Sequence, residues 1–176
     1  MKSTSYMLVR FNYQPYTKLI MPPKLGFMNN PLNKVLNEIE KGLRIGFDYI
    51  ELTVEWPLAS VEILEENKTE LRNSLASFNR PPLIHAPWYL EIASPYEDVR
   101  IGALREAKKI MKLTKEIEAS LVAFHPFSPK WFSVLKEDAK KLNLEAFIRL
   151  VELGKENNMI VCIENTDTGF SPLYPP

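Results

Sequence analysis

Cysteine is nearly absent: Cys162 stands alone inside the apolar run Val161-Cys162-Ile163. No disulfide can therefore form within the chain, a reducing compartment is the simpler setting, and a buried structural thiol is its expected state. Glycine is scarce at six residues, and no glycine-rich phosphate turn follows any apolar run, which counts against a dinucleotide fold or a P-loop. Neither sign of charge is in excess. With 22 Lys+Arg against 22 Asp+Glu the formal net charge is zero, so there is no global pull toward nucleic acid or anionic membranes, although a neutral protein can still carry a basic face. Long apolar runs are missing too. No stretch approaches the ~18 residues of a membrane span, and Met1 to Arg10 lack the apolar core of a secretory signal, so the chain reads as cytoplasmic.

What is present is an ordinary globular composition, 45% hydrophobic and 25% charged over 176 residues, enough for one core. Pro15, Pro22 and Pro23 set off residues 1–23 as an N-terminal extension, in which Tyr6 to Phe11 is expected as a short extra strand or an arm. From Lys24 onward, strand and helix patterns alternate. Lys24 to Asn29 reads as a strand, and Asn30-Pro31 then starts a helix with Leu32, Val35, Leu36, Ile39 and Leu43 on one face and Gly46 at its stop. A strand from Tyr49 to Trp56 meets Pro57. A single helix is predicted from Val61 to Phe78 and a strand from Leu83 to Trp88. The segment Glu97 to Glu118 has Ile101, Leu104, Ala107, Ile110, Met111 and Leu113 on one side, with Lys108, Lys109, Lys112 and Lys115 on a face read as solvated rather than as a nucleic-acid patch. A strand from Leu121 to His125, a Pro- and aromatic-rich loop to Trp131, a helix from Asp138 to Asn157 and a strand from Met159 to Glu164 follow. Leu144, Phe147, Ile148, Val151 and Leu153 supply the apolar side of that last helix.

Five strands and four intervening helices at a period of about 35–40 residues fit βαβ crossovers. The fold class is α/β, a parallel (β/α) barrel that is incomplete, spanning residues 24–176. An open doubly wound sheet is the alternative, and a solenoid lacks the repeated motif it needs.

Three of the strand patterns end in metal-capable side chains: Leu83-Ile84-His85, Val122-Ala123-Phe124-His125 and Val161-Cys162-Ile163-Glu164, 40 and 39 residues apart. Parallel barrel strands bring their C-terminal ends to one rim, where such proteins place their chemistry. Two imidazoles and a carboxylate gathered there suit a divalent metal, Mn, Mg or Zn. Glu51 and Glu55 share one face of the second strand. Glu51 is either a substrate contact or a solvated or salt-bridged carboxylate, while Trp88 and Tyr89 either stack on a sugar ring or a nucleobase or anchor their loop.

The runs His85-Ala86-Pro87-Trp88-Tyr89-Leu90, Phe124-His125-Pro126 and Ile163-Glu164-Asn165-Thr166 resemble, in order and spacing, the xylose-isomerase-like TIM-barrel superfamily. The resemblance covers about Leu25 to Gly169. Sugar and sugar-phosphate isomerases and epimerases belong to it, as does the endonuclease IV type of abasic-site nuclease. In the nuclease branch, the resemblance implies, His85, His125 and Glu164 match zinc ligands. Among the epimerases it makes Glu164 both a metal ligand and the proton-transferring base, with the histidines lining the pocket. Glu51, Trp88, Tyr89 and Asn165 are then the candidate substrate contacts, and a sugar or sugar phosphate the expected substrate.

Two departures from the family pattern bear on function. A glycine common after the nuclease His-Pro is Phe127 here, which is expected to crowd a close backbone approach. The family's further ligands lie on strands six to eight, whereas this sequence stops after the fifth. Association with another copy, a complementary polypeptide, or a fragment of a longer product is therefore expected, and so is weak metal affinity from three ligands alone.

Overall fold

The computed structural model describes residues 22–127 and 136–165. The Tyr6–Phe11 run, the end of the Pro126–Trp131 loop and the residues after Asn165 lie outside them. In chain order the elements are β1 (Gly26–Met28), α1 (Val35–Ile45), β2 (Tyr49–Thr53), α2 (Val61–Glu66), α3 (Lys68–Leu75), β3 (Leu83–His85), α4 (Glu97–Glu116), β4 (Leu121–Phe124), α5 (Lys136–Asn157) and β5 (Ile160–Ile163). The strands form one parallel sheet in sequence order, as the alternating pattern predicts.

Side-chain alternation explains the two faces of that sheet. Ile50, Leu52 and Val54, then Ile84, then Val122 and Phe124 are buried in the core shared with the helices. Tyr49, Glu51 and Thr53, like Leu121 and Ala123, are only half-buried on the opposite, inner face. The period of two thus selects which residues reach the inner face, and His85 falls in that set. The register aligns Thr53, His85, Ala123 and Cys162 across four strands, and it leaves Cys162 half-buried rather than in the core.

Side chains extend the backbone pairing beyond the strands. Buried Asn29 accepts the Thr53 N–H at 2.7 Å and donates to the Thr53 carbonyl at 3.3 Å, prolonging the β1–β2 ladder with an amide that mimics a peptide. At the end of α1, Gly46 takes the left-handed conformation at φ 94° while its N–H reaches the Gly42 and Leu43 carbonyls, a conformation that a side chain would oppose.

Gly42 fills a different need, because a Cβ there would collide with the Phe27 ring. Alanine is the better helix former by about 1 kcal/mol, but forcing atoms into a packed contact costs about 1–3 kcal/mol. Gly42→Ala is therefore expected to lower the urea midpoint, and a raised midpoint would mean that Phe27 moves aside freely.

Besides the half-exposure of Cys162, expectations for the helices change, and Ile101 on the apolar side of α4 is exposed. The helix predicted from Val61 to Phe78 is two, because Asn67 breaks it: its side-chain amide donates to the Ile63 carbonyl at 2.8 Å, competing with the helical backbone. Leu32 precedes α1 and is exposed, so the apolar face of that helix begins at Val35. On α5 the buried side is Ala139, Asn143, Ala146, Phe147 and Leu150, whereas Leu144, Ile148 and Val151 are exposed. The sheet explains the last difference: among the described residues β5 is an edge, Ile160 and Ile163 are exposed as well, and nothing there covers this flank of α5. The lysine face of α4 is solvated as read, with Lys109 pairing to Glu62 at 3.0 Å and Lys112 to Glu116 at 3.9 Å, exposed contacts that add little stability.

Candidate metal centre

Three strand ends deliver the site. His85 closes β3, His125 follows the last residue of β4, and Glu164 follows the last residue of β5, so each side chain leaves the sheet at its C-terminal rim. Backbone bonds keep them level: the Glu164 N–H donates to the Phe124 carbonyl at 3.0 Å, Ala86 N–H to Ala123 at 2.9 Å and Val54 N–H to His85 at 2.9 Å.

The three side chains converge. His85 Nε2 lies 2.9 Å from His125 Nε2 and 2.7 Å from Glu164 Oε2, and His125 Nδ1 lies 3.2 Å from the same Glu164 oxygen. One potential ligand atom from each residue falls within 4.8 Å of the others. His85 and His125 are buried while Glu164 is half-buried, and the two imidazole rings sit 4.7 Å apart.

Glu51 reaches this cluster from β2, its Oε1 3.2 Å from His85 Nδ1. That places it beside a candidate ligand, on the side of the ring away from the other donors. The contact is close but poorly aligned, and His85 Nδ1 and His125 Nδ1 are both buried without a hydrogen bond among the described residues. A neutral His85 that donates from Nε2 would turn a bare Nδ1 lone pair toward the Glu51 carboxylate, which is repulsive. Were a cation held by His85 through its other nitrogen, Nδ1 would carry the proton and the Glu51 contact would be the carboxylate–histidine arrangement that orients metal-ligating imidazoles. The donor chemistry, the orphaned nitrogens and the carboxylate behind His85 therefore fit a divalent ion such as zinc or manganese.

Around the cluster, the expected substrate contacts take different positions. Trp88 packs on His125 with ring centroids 4.3 Å apart at 58° and stays half-exposed, Tyr89 projects into solvent at 81% exposure, and Asn165 is exposed at the rim. Phe127 is half-buried and packs against the hydrophobic core. Glu55 has a role that the strand pattern left open: its carboxylate accepts the Trp88 N–H at 2.8 Å and the Trp56 N–H at 3.2 Å, tying the loop after β3 to the end of β2. Asn143 escaped sequence reading altogether. The available signal was a polar residue in register with Ala139, Phe147 and Leu150 on the buried side of α5.

Burial holds the His125 imidazole below its ordinary value; the His85 ring adds to this, and the charges of Glu164 and Glu55 oppose it. The unfolded chain then binds more protons than the folded one below about pH 6.5, so this residue's contribution to stability is complete above that value and is lost on acidification. The metal-free protein is expected to melt at a lower temperature at pH 5.5 than at pH 7.5, with a smaller pH difference in His125→Ala. An equal difference in both proteins would assign the effect elsewhere.

Comparison with known proteins agrees with this architecture. The family profile described as "Xylose isomerase-like TIM barrel" matches residues 39–174. A curated relative, the "Probable endonuclease 4" of Aquifex aeolicus (strain VF5), is 26% identical over 101 residues, 56% of this chain and 36% of its own length. Among solved structures, a D-tagatose 3-epimerase-like protein superposes with a TM-score of 0.66 at 19% identity, over 81% of this chain and 53% of that one. The IOLI protein with a bound zinc atom gives 0.66 at 20% identity, over 80% and 51%. The chain thus spans about half the length of these solved structures and about a third of the curated relative. By the match over residues 39–174 and the parallel sheet beneath it, the chain belongs to the xylose isomerase-like TIM-barrel family.

Proposed function

We propose that this chain supplies the strand-one-to-five portion of a divalent-metal-dependent sugar or sugar-phosphate isomerase or epimerase. The observation that carries the reading is the convergence of His85, His125 and Glu164 at the C-terminal rim, with both Nδ1 atoms left without hydrogen bonds. These three residues would hold the ion, which when bound supplies Lewis acidity toward a carbonyl and its neighbouring hydroxyl. Glu164, half-buried and open to the rim, moves the proton on the carbon beside the carbonyl. Glu51 orients His85, and Trp88, anchored through Glu55, covers His125 and offers its exposed edge to a sugar ring. Tyr89 and Asn165 stand where a bound sugar could reach them.

A second reading, an abasic-site nuclease, draws on the endonuclease relative. The carboxylates near the cluster favour an uncharged sugar within this reading, because Glu51, Glu55 and Glu164 attract a cation, accept hydrogen bonds from a polyol and repel phosphate, in a sugar phosphate as in a phosphodiester backbone. A metal-supplemented screen of ketose and aldose epimerisation, run beside cleavage of an abasic-site duplex, separates the two. Chelator-sensitive epimerisation without cleavage supports the first, and chelator-sensitive cleavage alone overturns it.

The exposed apolar flank of β5 and α5 supports association with a second copy or a complementary chain that completes the barrel. Sedimentation is expected to give a species heavier than the 20.3 kDa chain. A stable monomer would contradict this part of the proposal. No helix among the described residues is long and apolar enough to cross a membrane.

A further inference from the structure

We propose that Asn143, remote from the candidate ligands in sequence and outside the cluster in space, is a positioning residue for His125. This rests on the metal-centre reading above. Asn143 lies on α5 with no exposed surface, and its side chain grips both backbone polar groups of one residue: Oδ1 accepts the Phe127 N–H at 2.8 Å and Nδ2 donates to the Phe127 carbonyl at 2.8 Å. The second amide hydrogen donates to the Ala139 carbonyl at 2.9 Å, which fixes the amide orientation within its own helix.

The location of this clamp gives it its function. Upstream of His125, the Phe124 carbonyl accepts the Glu164 N–H at 3.0 Å, so the sheet holds the backbone up to that point. Downstream comes Pro126, which has no N–H to offer, and then Phe127. His125 therefore sits between two backbone anchors, one made by β5 and the other by Asn143. Moving the second anchor swings the imidazole relative to His85 and Glu164 while leaving all three candidate ligands in the chain. A helix residue thereby sets the geometry of a rim site it does not touch.

Two substitutions separate this role from bulk packing. Asn143→Asp keeps the size but turns an acceptor toward the Phe127 and Ala139 carbonyls, and Asn143→Leu keeps the volume but leaves the Phe127 N–H and carbonyl without this partner. Partners that orient metal ligands typically change affinity by about 10–100-fold, and a loss of zinc affinity in that range is expected for both variants by competition titration of the full chain. Ile110→Val, a trimmed core residue on α4, serves as the control: it is expected to lower the melting temperature without moving zinc affinity.

Zinc affinity unchanged in both Asn143 variants would overturn the proposal. If the variants fail to fold, amide hydrogen exchange in the wild-type chain still decides, since the clamp requires slow exchange at Phe127 and fast exchange there would refute it. Should the wild type bind no zinc, the metal-centre reading falls by itself. Asn143 is then tested in the metal-free protein: Asn143→Asp is expected to shift the His125 ring nitrogen resonances, and unshifted resonances would count against it.

Discussion

His125→Ala is expected to weaken zinc binding by more than about 100-fold, beyond the range that loss of a merely orienting partner produces. The argument is one of donor count. On the proposed reading, three donors from three different strands would hold the ion, and removing one would leave an imidazole and a half-buried carboxylate, too few for an ion that prefers four ligands. Glu164→Gln tests the same point with less disturbance, since it keeps the shape and removes the charge. The alanine variant also loses the His85 Nε2 contact and the packing of Trp88, so its fold is measured separately and the affinity is compared between folded proteins. Competition titration measures the affinity and a thermal melt checks the fold. Unchanged affinity in both variants would remove the metal centre from the account.

The second large effect is on stability. Phe124 ends β4 with 1% of its surface exposed, and it packs into the helix-side core while the next residue, His125, turns to the inner face. Phe124→Ala is expected to cost about 3–5 kcal/mol, a transfer loss plus a cavity, against a total stability of about 5–15 kcal/mol for a domain. Urea unfolding reads it, and Phe124→Leu, which keeps most of the volume, is expected to cost clearly less. A cost for the alanine variant no greater than that of a surface substitution would mean that the core around β4 is already loosely packed.

The contrast between these two neighbours shows what was legible in the sequence. Apolar runs ending in His, His and Glu mark both the strand and the direction in which it points, so the rim cluster follows from the period of two and the spacing between runs. The break at Asn67 was not legible, because the heptad-like spacing of Leu64, Leu71 and Leu75 runs straight through it and only a side-chain hydrogen bond reveals the interruption. Leu144, Ile148 and Val151 misled for a related reason: an apolar stripe reports that a face is suited to burial, not that a neighbour is present to bury it. Glu51 was legible as a carboxylate on the correct face, but its place beside His85 Nδ1 depends on the parallel register of β2 and β3. Asn143 was hidden, since its partner is a backbone peptide that no sequence pattern identifies.

Family membership narrows the chemistry without choosing among its branches, and the carboxylate-rich lining is what tilts the reading toward a sugar. All of it depends on the ion. The most direct test is bound zinc, measured by mass spectrometry after equilibrium dialysis of wild-type protein against saturating zinc and corrected for the free zinc of the dialysate, beside Glu164→Gln treated in parallel. The account predicts about one zinc per wild-type chain and a sharp loss in the variant; a metal-free wild type, or equal metal in both, would contradict it.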